Sequence, residues 1–238
     1  MTTTVVTQQT ALSWATGLEL AGYRHAHVEE RIRRAVEREE VGDEDGLVRL
    51  LRADPAARSR FRRSVAVSVS GLFRDPAQFE LLERELLPPL VEGGRRINVW
   101  SAGCADGTEL YSVGILLERL GALDRGFLLG SDVLEENVSA AAQAASADPR
   151  ITDDVRQRVR LEQRDVLRDG PPPGKWRLIL CRNLAIYLAP AAKQALHELL
   201  AGALAREGVL LLGRSERIVR CRPLGLEHVA PHAYRRFR

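Results

Sequence analysis

The stretch Ser101-Ala102-Gly103-Cys104-Ala105-Asp106-Gly107 follows a short apolar run and precedes a helix-like one, a setting in which glycines let the backbone turn tightly beside a ligand. Its spacing is Gly-x-x-x-Gly, not the Gly-x-Gly-x-x-Gly of dinucleotide binders. Amides at a helix start suit a pyrophosphate, but Asp106 and Glu109 oppose an anion there and favour a cationic or zwitterionic group. Asp132 and Asp165 fall after two further apolar runs. An acid after a second strand can accept from both ribose hydroxyls, and one after a third from an adenine amine. One glycine turn with two such acids suggests an adenosine ligand without phosphate, S-adenosyl-L-methionine. The plainer reading stays open: the glycines join strand to helix and the aspartates cap helices.

Other chemistries have less support. Cys104, Cys181 and Cys221 are odd in number and show no Cys-x-x-Cys or Cys/His spacing, so neither a disulfide framework nor a metal site is expected. The five histidines lack ligand spacing, and no Ser/His/Asp or Cys/His set stands out. The net charge is +3 and all cations but Lys175 and Lys193 are arginine. That skew reads as codon usage, and with no aromatic-interleaved basic stripe a nucleic-acid partner is not expected. The start Met1-Thr2-Thr3-Thr4-Val5-Val6 has no charged region before an apolar run, and no apolar stretch reaches spanning length, so no membrane insertion and a cytoplasmic setting are expected.

The elements that would position these residues follow from periodicity. With 238 residues, 45% of them hydrophobic, the chain can bury a sizeable core. Val28, Ile32 and Val36, then Leu47, Leu50 and Leu51, repeat at helical spacing, and Asp43 or Asp45 and the Asp54-Pro55 pair are helix starts. From Pro76 the pattern alternates, with helices over 77–91, 109–120, 134–145 and 190–206, and strands at Ile97–Trp100, Phe127–Leu129, Val159–Glu162, Trp176–Cys181 and Val209–Leu212. Residues 226–229 and 233–237 suit a closing antiparallel pair. The expected fold class is α/β, a Rossmann-like doubly wound sheet, with a small N-terminal all-α helical domain. The boundary is expected at 75/76, giving a helical domain and linker over 1–75 and a ligand-binding domain over 76–238.

Four blocks resemble one family, the chemotaxis-receptor glutamate methyltransferases of CheR type. Val99 through Ser112 is similar to its cofactor turn, W-S-A-G-C-S-T-G-E-E-P-Y-S, and Cys181-Arg182-Asn183-Leu184-Ala185-Ile186-Tyr187-Leu188 to C-R-N-V-x-I-Y-F. Leu72-Phe73-Arg74-Asp75, ahead of Phe79, resembles F-F-R-[DE]…F, and Leu211 to Glu216 resembles L-L-G-H-S-E. Order and spacing agree from about Tyr23 onward. The resemblance implies a methyltransferase that uses S-adenosyl-L-methionine, releases S-adenosylhomocysteine and esterifies glutamate side chains of a signalling protein. It implies that Gly103, Glu109, Asp132, Asp165, Arg182 and Asn183, with Ser68 and Ser70, surround the cofactor. Arg74 and Tyr187 would meet the substrate carboxylate.

The departures bear on the substrate. Asp106, Thr108 and Leu110 replace Thr, Glu and Pro in the turn, Leu134 replaces a second acid after Asp132, and Arg214 replaces His. Leu72 replaces Phe, and Ser68-Val69-Ser70 stands for Asn-x-Thr. Residues 145–164 are too few for the small β-subdomain with which some members grip a receptor tail, so such binding is not expected. The implied partner is an acidic protein or peptide, or a helical receptor bundle, and the run Arg58, Arg60, Arg62, Arg63 is the candidate attractor. Two alternatives stand beside this: a methyltransferase for a small molecule or peptide outside chemotaxis, and a non-catalytic cofactor-binding or docking module.

Overall fold

The computed structural model describes residues 10–67 and 71–238, so Ser68 and Ser70 lie outside the described residues. The chain divides into two units, Met1–Ser68 with Tyr187–Gln194, and Val69–Ile186 with Ala195–Arg238. Compared with a division at 75/76, residues 69–75 go with the α/β unit, and the segment beginning at Tyr187 goes with the helical one.

In the helical unit, α1 (10–16) is followed by α2 (His25–Glu39), α3 (Glu44–Ala53) and α4 (Pro55–Val65). Asp43 accepts from the Gly46 amide at 2.7 Å and Asp54 from Ala56 at 2.8 Å, with Pro55 opening α4, so each start satisfies an otherwise orphaned donor. Val28 and Ile32 of α2, Leu47 and Leu51 of α3, and Phe61 and Val65 of α4 are buried. The outer face is self-neutralised: Arg33 pairs with Glu30 and Glu37, and Arg60 with Glu39. Tyr187–Gln194 belongs here because Arg24 N–H donates to the Tyr187 carbonyl at 2.9 Å and Ala189 N–H to the Gly22 carbonyl at 2.9 Å, flanking a Tyr23–Leu188 bridge.

The α/β unit opens with a helical run from α5 (Pro76–Leu81) to α6 (Leu87–Val91), joined by a wide π turn over Leu82–Leu86. Pro88 and Pro89 explain the widening. Neither can donate an amide, and a regular turn would press their rings on the carbonyls four residues back. There follow β1 (Ile97–Ala102), α7 (Thr108–Arg119), β2 (Gly126–Asp132), α8 (Glu135–Ala147), α9 (Asp153–Arg158) and β3 (Val159–Gln163). Next come α10 (Val166–Asp169), β4 (Trp176–Cys181), α11 (Pro190–Ala203), β5 (Leu204–Leu212), β6 (Leu226–Ala230) and β7 (Ala233–Arg236), with residues 190–194 of α11 counted in the helical unit.

The strand order is β3-β2-β1-β4-β5-β7-β6; β1 to β5 are parallel, and β7 pairs antiparallel with β5 and β6. β1, β2, β4 and the carboxyl half of β5 are near-continuous apolar runs because both faces are covered, whereas the edge strand β3 is mixed. Strand order reverses between β1 and β4, so the crevice at the carboxyl ends of those two strands is where a doubly wound sheet receives a ligand.

Candidate functional site

The segments that leave β1 and β4 carry the residues singled out by sequence. After β1, Gly103 (φ 73°) and Gly107 (φ 76°) adopt the left-handed conformation, and so does Ala105 (φ 50°), at a cost for a residue with a side chain. The amides of this turn face inward. Gly103 and Cys104 donate to the Ser131 carbonyl at 2.8 and 3.0 Å, and Ala105 donates to Asp132 Oδ2 at 2.9 Å. At the start of α7, the Thr108 amide donates to Asp106 Oδ1 at 3.2 Å. Amides so engaged form no phosphate cradle. The turn therefore suits a neutral or cationic ligand in an acidic surround, the chemistry of a sulfonium bearing an amino acid and a nucleoside.

Asp132 sits behind the turn, buried, and also accepts from Leu134 N and Asn137 Nδ2, each at 2.9 Å. Asp165 caps α10 through the Leu167 amide at 3.0 Å, and burial pushes its carboxyl above the usual range. Asp165 therefore performs the helix capping of the plainer reading, whereas Asp132 ties the β1 turn to the start of the segment after β2. Burial likewise pushes the Cys104 and Cys181 thiols well up, so neither is a thiolate nucleophile.

One cleft is lined by Arg74, Gly103, Thr108, Glu109, Arg182 and Asn183, among others. Its centre of organisation is Arg182, whose side chain is 3% exposed. Nε donates to Gln78 Oε1 at 2.9 Å and Nη1 to Glu109 Oε2 at 2.8 Å. Nη2 donates to the Arg74 carbonyl at 2.7 Å and to Asp75 Oδ2 at 2.9 Å, while the guanidinium lies over the Phe79 ring. Glu109 is completed by Ser101 Oγ, which donates to its Oε1 at 2.9 Å. Arg182 thus places the Arg74 backbone, and Glu109 is held by Arg182.

Arg74 lies between two strained neighbours. Phe73 (φ 55°) and Asp75 (φ 62°) are both left-handed, each at about 1–3 kcal/mol. The Phe73 amide donates to Ser112 Oγ at 2.9 Å and its ring packs edge-on to Phe79, while Gly71 N–H donates to Thr108 Oγ1 at 3.0 Å. These contacts fix a turn that would otherwise relax. On the other wall, Asn183 is also left-handed (φ 61°).

Residues 68–148 and 142–229 match the family described as "CheR methyltransferase, SAM binding domain". The chain belongs to this family. A chemotaxis protein methyltransferase of Listeria monocytogenes is 29% identical over 232 residues, covering 88% of both chains. Its counterpart in Listeria innocua is 28% identical with the same coverage. The chemotaxis protein methyltransferase Cher2 of Pseudomonas putida is 24% identical over 240 residues, covering 87% of each. This CheR-family chain is accordingly an S-adenosyl-L-methionine-dependent methyltransferase, and the inward-turned amides and acids of its β1 turn fit that cofactor.

Of the residues expected around the ligand, Arg74, Gly103, Glu109, Arg182 and Asn183 line this cleft. Tyr187 belongs to the helical unit, its ring 5.1 Å from that of His27. Glu216, the last residue of the Leu211–Glu216 block, has a structural role that the resemblance does not imply. It is 1% exposed and accepts from the amides of Asn183 at 2.6 Å, Ala185 at 2.7 Å and Gly213 at 2.8 Å, holding the turn after β4. A Cβ at Gly213 would come within 2.6 Å of Asn183 Oδ1 and 2.7 Å of Glu216 Oε2, so the glycine preceding this loop is obligatory. The sequence signal was the Gly-x-x-Glu spacing after an apolar strand.

Proposed function

We propose that this enzyme esterifies a carboxylate, a glutamyl side chain of an acidic signalling or receptor protein, in the cytoplasm. The observation that carries the reading is an arginine, Arg74, in a strained and fully braced turn on the wall of a cleft whose amides face away from anionic ligands. In this reading Gly103, Glu109, Asp132, Asp165 and Asn183 surround the cofactor, and Arg182 acts by positioning Arg74. Ser68 and Ser70 keep only the role implied by resemblance. The cofactor supplies an activated methyl group when bound.

A glutamate carboxylate, with a pKa of about 4.3, is already ionised near neutrality and needs no general base. The chain must align one of its oxygens and exclude water. A guanidinium orients a carboxylate through charge-assisted hydrogen bonds, and a phenol such as Tyr187 can fix one oxygen. Arg74→Ala should lower methyl transfer by at least about a hundredfold, the scale of a lost electrostatic stabiliser. Cofactor affinity by calorimetry should change only a few-fold. Full activity in this variant removes the assignment.

In this reading the substrate is captured without a tail-gripping β-subdomain. Between β2 and β4 lie α8, α9, β3 and α10, and β3 is the one strand there among the described residues. That single strand supports the reading of an acceptor recognised other than by adding a receptor tail to a β-subdomain. Incubation with labelled cofactor and acidic candidate proteins tests the chemistry: base-labile label marks a carboxyl ester, and base-stable label refutes it.

A further inference from the structure

We infer that the loop after β5, residues 214–222, is the surface on which an acidic segment of the protein substrate docks; this rests on the carboxyl-methylation reading. Arg214, Arg217, Arg220 and Arg222 are all exposed, and Val219 among them is 81% exposed. The one acid in the stretch, Glu216, is buried on backbone amides and offsets none of this charge at the surface.

Two features together suit these arginines to docking. The first is availability. On the helical unit several arginines are engaged: Arg33 and Arg34 with Glu30, Arg60 with Glu39, and Arg58 on the Leu51 and Arg52 carbonyls. The run Arg58–Arg63 is thus partly satisfied within its own unit. Arg217, Arg220 and Arg222 make no ion pair among the described residues.

The second feature is order. The loop is pinned from below: Glu216 is held as described, Ile218 is buried with its amide on the Tyr234 hydroxyl at 2.9 Å, and His232 Nδ1 lies 2.8 Å from the Glu216 carbonyl. Buried positions 216 and 218 alternate with exposed 217 and 219, so the charges are presented from a fixed backbone. A preformed array loses less entropy on binding than a flexible tail does.

The loop also leads into the cleft. Glu216 holds Asn183, which lines it, and Arg214 Nη1 lies 3.8 Å from Asp75, next to Arg74. An acidic chain on Arg217, Arg220 and Arg222 would bring neighbouring carboxylates toward Arg74. Val219 offers an apolar contact for an aliphatic side chain among them. An anionic membrane would meet the same charges, but the tie to the cleft favours the protein.

The test uses the full chain and the variant Arg217→Gln/Arg220→Gln/Arg222→Gln, with Arg95→Gln, at the opposite end of the sheet, as control. The probe is a fluorescent Glu-rich helical peptide. Because each exposed pair contributes modestly, the triple variant should bind about tenfold more weakly and lose most of the salt dependence of the wild type. Cofactor affinity should match wild type, which shows the variant is folded. Equal peptide affinity in triple variant and wild type overturns the inference. So does loop-dependent binding to phosphatidylserine vesicles without peptide binding. Loop-dependent peptide binding without base-labile methyl transfer supports the surface and refutes the chemistry. Base-labile transfer with an unchanged KM in the triple variant does the reverse.

Discussion

Arg182 carries a single charge into a nearly sealed position facing two carboxylates, Asp75 and Glu109, and satisfies four acceptors from segments far apart in sequence. Removing it would leave Glu109 without an ion-pair partner and Asp75 with only the more distant Arg214, a loss of up to about 3–5 kcal/mol. Arg182→Ala should therefore fold poorly. Arg182→Lys is the informative variant, since an ammonium keeps the charge but cannot fork between Gln78, Glu109 and the Arg74 carbonyl. It should lower stability by about 1–3 kcal/mol in urea unfolding. It should also cut kcat at least tenfold while cofactor affinity stays within a few-fold, because the turn bearing Arg74 loses its brace. A parallel fall in cofactor affinity would instead make Arg182 a direct ligand. The sequence revealed that Arg182 matters through its Cys-Arg-Asn context, but not how. A hub of partners near residues 75, 78 and 109 exists only once β1 and β4 lie side by side.

At the scale of elements, legibility followed periodicity. The central parallel strands read clearly because burial on both faces forces continuous apolar runs, and the apolar run Trp176–Cys181 coincides with β4. The π turn over Leu82–Leu86 was hidden because it breaks no apolar spacing. The pairing of 187–189 with 22–24 was equally hidden, since three residues carry no periodic signal. That pairing sets His27 against Tyr187 and Tyr23, with Nε2 3.0 Å from the Val65 carbonyl. Burial pushes His27 below its ordinary 6.5, Arg31 and Arg24 add to the shift, and the Val65 hydrogen bond opposes it. The unfolded chain therefore binds a proton near pH 6.5 that the folded unit refuses until lower pH. The contribution is complete above that value and is lost as pH falls from 6.5 toward the folded pKa. Thermal melts from about pH 7.5 to 5.5 should show the helical unit weakening, and His27→Gln, which keeps a donor but does not titrate, should flatten that slope. An equal slope in the variant would exonerate His27.

At the scale of the whole molecule, the chain passes between its two units three times, at 68/69, 186/187 and 194/195. The helical unit is thus no detachable N-terminal module, because residues 187–194, from the middle of the α/β sequence, complete it. Leu188 is 3% exposed, and its neighbours hold Arg24 N–H and the Gly22 carbonyl. Deleting residues 1–68 would expose Leu188, at about 1.5–3 kcal/mol, and strip two backbone hydrogen bonds at about 0.5–1.5 kcal/mol each. The fragment 69–238 should therefore unfold at lower denaturant than the full chain. In hydrogen exchange the Ala189 amide, which donates to Gly22 in the full chain, should lose protection while amides of β1 and β4 keep theirs. Adding residues 1–68 as a separate polypeptide should restore Ala189 protection, because the contacts lie within one unit and need no covalent link. A fragment with an unchanged midpoint and a protected Ala189 would mean that 187–194 is held by the α/β unit alone. The turn after β4 would then end in its own domain. With the expected result, the chain that leaves Asn183 in the cleft is anchored four residues later in the helical unit, so a partner bound there acts on a segment continuous with the cleft wall.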